Sequence, residues 1–258
     1  GFTILGSTGV HMRFAPDADA VRLNPDRTGY VMAFPGSAYG QIQTNMAATL
    51  NIDWMLDIAR ELLESQGVAR SRAELLEGLD DRILAARPGA ALYHPYISPA
   101  GERGPFTEPD ARASFTGLAQ GAGWFDLMRA VFEGLALAGR DCYAAMGPVP
   151  HEIRLTGGAA RSVAARKILA AALNAPVRTV DQPEAGAAGA AMIAALGAGL
   201  AESPDAIATA WVAPRLGPAE APDAALAETY AALFPAFVAT REALAPAWTA
   251  LAETRRRA

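Results

Sequence analysis

A single cysteine, Cys142, stands in 258 residues, so no internal disulfide can form, and the lone thiol fits a reducing compartment such as the cytoplasm. Histidine is nearly as scarce. His11, His94 and His151 lie far apart, without the spacing of a structural zinc site, and no metal ligand is assigned. Basic clusters are missing too: the formal charge is −5, and the one Lys/Arg run, Arg255-Arg256-Arg257, reads as a solvated terminus. No nucleic-acid partner is expected. The Ala-rich stretch from Ala185 to Leu200 is too broken by glycine to span a bilayer, and no early segment has a signal-peptide pattern, so no membrane partner is expected either. What is present is a chain 52% apolar, enough for a substantial core in one large or two modest domains.

The most informative stretch is Glu152-Ile153-Arg154-Leu155-Thr156-Gly157-Gly158-Ala159-Ala160-Arg161-Ser162, running on to Leu173. Strand formers meet two glycines and then helix formers, so the text reads strand, tight turn, helix. Gly157 and Gly158 leave main chain bare for a base, ribose or phosphate, and a helix beginning near Ala160 offers unpaired N–H groups. A plain glycine turn with nothing bound fits the same letters.

Phe2 to Leu5 and Val10 to Phe14 read as two strands around Gly6-Ser7-Thr8-Gly9, a turn that suits a phosphate as well as a bare hairpin. Val21 to Leu23 and Tyr30 to Phe34 read as further strands. From Asn45 to Leu63 the period is helical, with Met46, Leu50, Trp54, Ile58 and Leu62 on one stripe, and a second helix spans Ser71 to Ala86 with Ser71 and Glu74 as a capping box. The Pro- and Gly-rich stretch Leu92 to Phe106 is either a cleft-lining loop or a solvated connection with Glu102 and Arg103 paired. Helix returns from Gly123 to Met146, where Arg129 and Glu133, one turn apart, read as a surface ion pair. Pro176 to Val180 is another strand, and Ala185 to Leu196 a Gly/Ala helix able to lie very close to a sheet or helix. The tail from Ala224 to Arg255 reads as helix interrupted by Pro235 and Pro246. Together these elements predict one α/β domain with a mixed sheet.

Four motifs in order resemble the FGGY family of carbohydrate kinases, from Gly6 to about Gly199. Ala113-Ser114-Phe115-Thr116-Gly117-Leu118, followed by Asp126 to Glu133, resembles its second signature. Thr156 to Ser162 resembles the Thr-Gly-Gly-Gly-Ala-Lys-Ser adenosine loop, with Ala159 for its third glycine and Arg161 for its Lys. Glu184-Ala185-Gly186-Ala187-Ala188-Gly189-Ala190-Ala191 resembles the closing Glu-x-x-Ala-x-Gly-Ala-Ala motif, and Gly6-Ser7-Thr8-Gly9 the phosphate turn.

The resemblance implies an actin/hexokinase-type (ribonuclease H-like) ATPase domain, a mixed sheet flanked by helices, with residues 1–258 forming the C-terminal nucleotide-binding half of a two-domain kinase. By position, Ser7, Thr8 and Gly9 face the terminal phosphates of ATP, Gly157, Gly158, Ala159 and Ser162 face adenosine, and Thr49 and Asp53 lie near the nucleotide. The family's general base is an Asp upstream of the phosphate turn, and the residues before Gly6 include no acid. The opening Gly1-Phe2-Thr3 without Met suggests a piece of a longer chain, so the base and the Mg²⁺ ligands are expected in an N-terminal domain outside it, with no catalytic residue here. The implied partners are a pentulose or a small polyol such as erythritol, the N-terminal domain, and a possible homodimer mate. Two rivals stand beside this: a dinucleotide-dependent oxidoreductase, with Asp181 as the ribose-binding acid but without Gly-x-Gly-x-x-Gly spacing, and a non-catalytic actin-like assembly module.

Overall fold

The computed structural model describes residues 1–257. Phe2–Leu5 (β1) and Gly9–Ala15 (β2) form the expected hairpin, with Leu5 opposite Gly9. Val21–Leu23, expected as a strand, is irregular, because the main chain of Arg22 bonds the side chain of Gln41 instead of a strand neighbour. Tyr30–Ala33 (β3) is present, and Tyr39–Asn45 (β4), absent from the sequence reading, pairs with both β2 and β3. Gln41, Gln43 and Asn45 are buried there, so the strand lacks the apolar alternation that announces one.

Thr49–Ser65 (α1) is the first long helix. The second is split into Arg72–Leu76 (α2) and Leu79–Ala85 (α3), because Gly78 adopts a left-handed conformation; the capping box of Ser71 and Glu74 is present. Leu92–His94 (β5) pairs with Ser114–Thr116 (β6) in a small separate sheet. Trp124–Met146 (α4), Ile153–Thr156 (β7), Val163–Leu173 (α5), Val177–Val180 (β8) and Ala185–Gly197 (α6) follow. After Pro204–Ile207 (α7) and two irregular helical turns come Leu216–Glu220 (β9), also unforeseen, and Ala224–Arg257 (α8). The last is one continuous helix: burial of Tyr230, Phe237 and Trp248 holds it in line across Pro235 and Pro246, against the expected interruption.

The seven-stranded sheet has the order β3-β4-β2-β1-β7-β8-β9, with β1, β7 and β8 parallel and the other pairings antiparallel. Helices α4 and α5 pack side by side on it, and α8 closes over them. α4 is buried along most of its length. An added Cβ on Gly134 would sit 2.2 Å from the Tyr93 carbonyl oxygen, so glycine permits the close approach of β5.

Two side-chain expectations are corrected here. Arg129 and Glu133 form no surface pair: both are buried, with Arg129 Nε donating to Glu133 Oε1 at 2.7 Å. Arg129 Nη1 also donates to the carbonyls of Ile83, Leu84 and Ala86, and Tyr230 Oη donates to Glu133 Oε1, so the pair fastens α3 and α8 to α4. The Gly/Ala helix α6 does not lie tightly on the sheet. Only Ala195 is buried in it, and a hollow of about 600 Å³ separates Met192 from Phe2, Met12 and Phe14. Among the described residues no helix is long and apolar enough to cross a membrane.

Candidate nucleotide site

Because β1 and β7 run parallel, both glycine corners emerge at the same edge of the sheet. Ile4 lies opposite Thr156, which sets Gly6 beside Gly157. Gly157 has φ +92°, and a Cβ there would stand 2.5 Å from the Leu5 carbonyl oxygen; only glycine fits this contact between the two corners. The turn is tied to α1 as well. Thr49 N and Thr49 Oγ1 both donate to the Gly6 carbonyl at 2.8 Å, and Ala48 N donates to the Ser7 carbonyl at 2.8 Å. Ser7 and Thr8 are exposed at the tip, and Gly9 is buried at the start of β2.

Between these elements lies a cavity of about 390 Å³. Ile52, Leu79 and Phe132 give it apolar walls, while Thr49, Gly158, Ala159 and Ser162, from two distant parts of the sequence, contribute the rest of the lining named in advance. An added Cβ on Gly158 would meet nothing within 4 Å, so main chain is bared toward open space, room that a flat heteroaromatic ring could take. Asp53 faces an adjoining hollow with Arg72, whose guanidinium it holds; Arg72 lines both spaces.

The helix after the glycines differs from expectation. Gly158–Arg161 is a 3₁₀ turn and α5 starts only at Val163, with Ser162 as N-cap: Ser162 Oγ accepts from Ala165 N at 3.0 Å and donates to Asp80 Oδ1 at 2.6 Å. Asp80 Oδ2 accepts from Val163 N at 2.7 Å. A carboxylate of the chain itself therefore occupies the positive end of α5, where an anion would otherwise sit. Asp80 lines the cavity and was missed by the sequence reading; its place on a short helix distant in sequence left no local signal.

Beneath the Gly6-Ser7-Thr8-Gly9 turn is a buried polar cluster, also missed. His11 Nε2 donates to Asn45 Oδ1 at 3.1 Å, and Asn45 Nδ2 donates to the Gly104 carbonyl at 2.9 Å. Burial pushes His11 down to about 4, so the ring is neutral at pH 7. Glu102 is buried and not paired with the Arg103 side chain. Its Oε1 accepts from Met46 N at 3.0 Å and Arg103 N at 2.8 Å, fixing the segment that leads from β4 into α1. Burial raises its carboxyl to about 7, against the pull of those backbone donors. The Leu92–Phe106 stretch, read as either cleft lining or solvated link, is thus partly an internal brace. Among the described residues no group of three or more His, Cys, Asp or Glu is placed to hold a metal ion.

The chain is 54% identical over 253 residues to erythritol kinase from Brucella abortus (strain 2308), a match covering 98% of this chain and 48% of that protein. A solved ligand-bound xylulose kinase from Lactobacillus acidophilus superposes with a TM-score of 0.82 at 23% identity, over 97% of this chain and 48% of that one, which shows the same actin/hexokinase-type mixed sheet flanked by helices. Xylulose kinase from Rhodospirillum rubrum gives 0.78 at 28% identity, over 96% and 48%. The chain thus spans about half the length of these relatives. Residues 1–198 match the profile of the FGGY family of carbohydrate kinases, C-terminal domain, and the chain belongs to that family.

Proposed function

We propose that this chain is the nucleotide-binding half of a cytoplasmic kinase that transfers the terminal phosphoryl group of ATP to a small polyol, erythritol being the favoured acceptor. The observation that carries the reading is the meeting of two glycine corners at one sheet edge beside a cavity with apolar and polar walls. Adenosine lies on Gly158 and Ala159 with Thr49 and Ser162 at its border, and the phosphates extend to the Ser7-Thr8-Gly9 turn. Ser7 and Thr8 present exposed hydroxyls and main-chain N–H groups there, donors suited to phosphate oxygens. Gly157 holds the two corners in contact. Mg²⁺, when bound, offsets charge on the phosphates.

Proton removal from the acceptor hydroxyl needs a carboxylate within hydrogen-bond reach. The acids near this cavity are engaged, Asp80 by Ser162 and Val163 and Asp53 by Arg72, so the base is assigned to the N-terminal half, as are the metal ligands. The erythritol preference follows the likeness to the Brucella abortus enzyme, since the acceptor's own contacts belong to that other half. An oxidoreductase reading loses its support, as the glycines lack dinucleotide spacing and the family is one of kinases.

A coupled assay for ADP tests this. Erythritol-dependent ADP release is expected from the chain joined to its N-terminal half and none from the 258-residue chain alone. Polyol-dependent release by the chain alone would overturn the assignment of the base, and a thermal shift with NAD but not with ATP would overturn the nucleotide.

A further inference from the structure

The polar groups around the 390 Å³ cavity are almost all engaged by the protein itself. Thr49 Oγ1 donates to Gly6, Ser162 Oγ bonds Asp80 and Ala165, and both Asp80 oxygens are taken by Ser162 and Val163. The lining side chains with hydrogens left to give are Arg72 and Arg161. They differ in one respect. Arg161 is exposed and has no side-chain partner among the described residues, whereas Arg72 is fastened through Nε and Nη2 to Asp53 Oδ1, with Nε at 3.1 Å. An anchored guanidinium loses less side-chain entropy on meeting a ligand than a free one.

Where Arg72 is anchored decides what it can touch. Thr49 contacts the phosphate turn, and Asp53 lies one helical turn further along α1, about 6 Å away from that turn. The cavity that Arg72 lines also has Ile52, Leu76, Leu79 and Phe132 in its walls, an apolar share that suits a base better than a phosphate. The Asp53–Arg72 pair is itself well exposed, with side chains 35% and 60% accessible, so it adds little to the stability of the fold.

Resting on the ATP reading above, we propose that Arg72 binds the nucleotide, its guanidinium plane lying against the purine base, and that Asp53 acts through Arg72 as a positioning residue. Guanidinium groups stack on aromatic faces, and Arg72, held by Asp53, lines the cavity.

Titration of the 258-residue chain with ATP and with tripolyphosphate, followed by NMR amide shifts, reads dissociation constants into the millimolar range. Arg72→Ala is expected to weaken ATP about fivefold while leaving tripolyphosphate unchanged, since only ATP carries a base. Asp53→Asn is expected to act in the same direction by less, and the double variant to bind no more weakly than Arg72→Ala alone. Equal weakening of both ligands would place Arg72 on the phosphates and overturn the proposal. An Arg72→Ala chain that melts earlier yet binds ATP like wild type would show a purely structural residue and overturn it as well. A wild-type chain whose amides move with neither ligand would instead sink the ATP reading itself, and this inference with it.

Discussion

Helices α4 and α6 are both rich in glycine and alanine, yet α4 is buried along most of its length and α6 almost nowhere. The difference lies in what surrounds each. α4 runs between the sheet, β5, α5 and α8, so every face meets something, and Gly134 lets the β5 main chain come within contact distance. Gly186, Gly189 and Gly197 of α6 face open space, where a Cβ would meet nothing. Small residues permit close packing without specifying the partner.

The strongest way to break the contrast is to attack α4 from within. Arg129→Ala leaves the Glu133 carboxylate buried and unpaired and frees the carbonyls of Ile83, Leu84 and Ala86, so a loss of about 3–5 kcal/mol is expected in urea unfolding. No charge substitution on exposed α6 should approach that.

The next effect concerns pH and the polar cluster between α4 and the sheet, where His11 packs on Gly139. Glu102 has its folded value raised to about 7, so it binds protons more tightly in the native state. The stability it adds is complete below about 4.5 and is lost as pH rises to about 7. His11 is depressed to about 4, so its contribution is complete above about 6.5 and is lost as pH falls to about 4. The two slopes oppose each other, each on the order of 3 kcal/mol in full. Glu102→Gln should unmask the His11 slope: chemical denaturation between pH 7 and 4 would then show stability falling on acidification more steeply than in wild type. An unchanged profile would count against the burial of Glu102.

The smallest effects sharpen the comparison residue by residue. Gly134→Ala on α4 should cost about 1–3 kcal/mol through collision with the Tyr93 carbonyl, whereas Gly189→Ala on α6 should raise stability by about 0.5–1 kcal/mol, since helix propensity gains with no steric loss. Thermal melts of the two variants should move in opposite directions.

Legibility followed the range of the interactions. The β1–β2 hairpin, the Ser71–Glu74 capping box, α4 and the β7-glycine-α5 passage depend on neighbours a few residues apart, and each was readable. The face of α1 was not. Leu50, Trp54, Ile58 and Leu62 make a clean apolar stripe but are exposed, Leu62 at 65%, while Asn51, Ile52, Met55 and Leu56 face the core. Asn51 is accommodated because it accepts from Tyr93 Oη and donates to the Ala48 carbonyl, partners invisible to periodicity. β4 failed for a similar reason, its buried Gln and Asn side chains being satisfied by Arg22, Thr28 and Gly104. At the site, Thr49, Gly158, Ala159 and Ser162 were named by position, while Asp80 and Arg72 reach the cavity only because α2 and α3 fold beside α1 and α5.

The sequence by itself determined the kinds of corner this chain makes: glycine pairs and hydroxyls in short turns, set by backbone sterics that need no distant partner. Only the tertiary structure decided that two such corners, about 150 residues apart by the register of β1 on β7, share one edge, and that the second of them lines a cavity with Thr49, the α1 residue tied to the first. It likewise decided which charges go inside, since desolvating Arg129, Glu133 and Glu102 is tolerable only where partners from remote segments arrive to meet them.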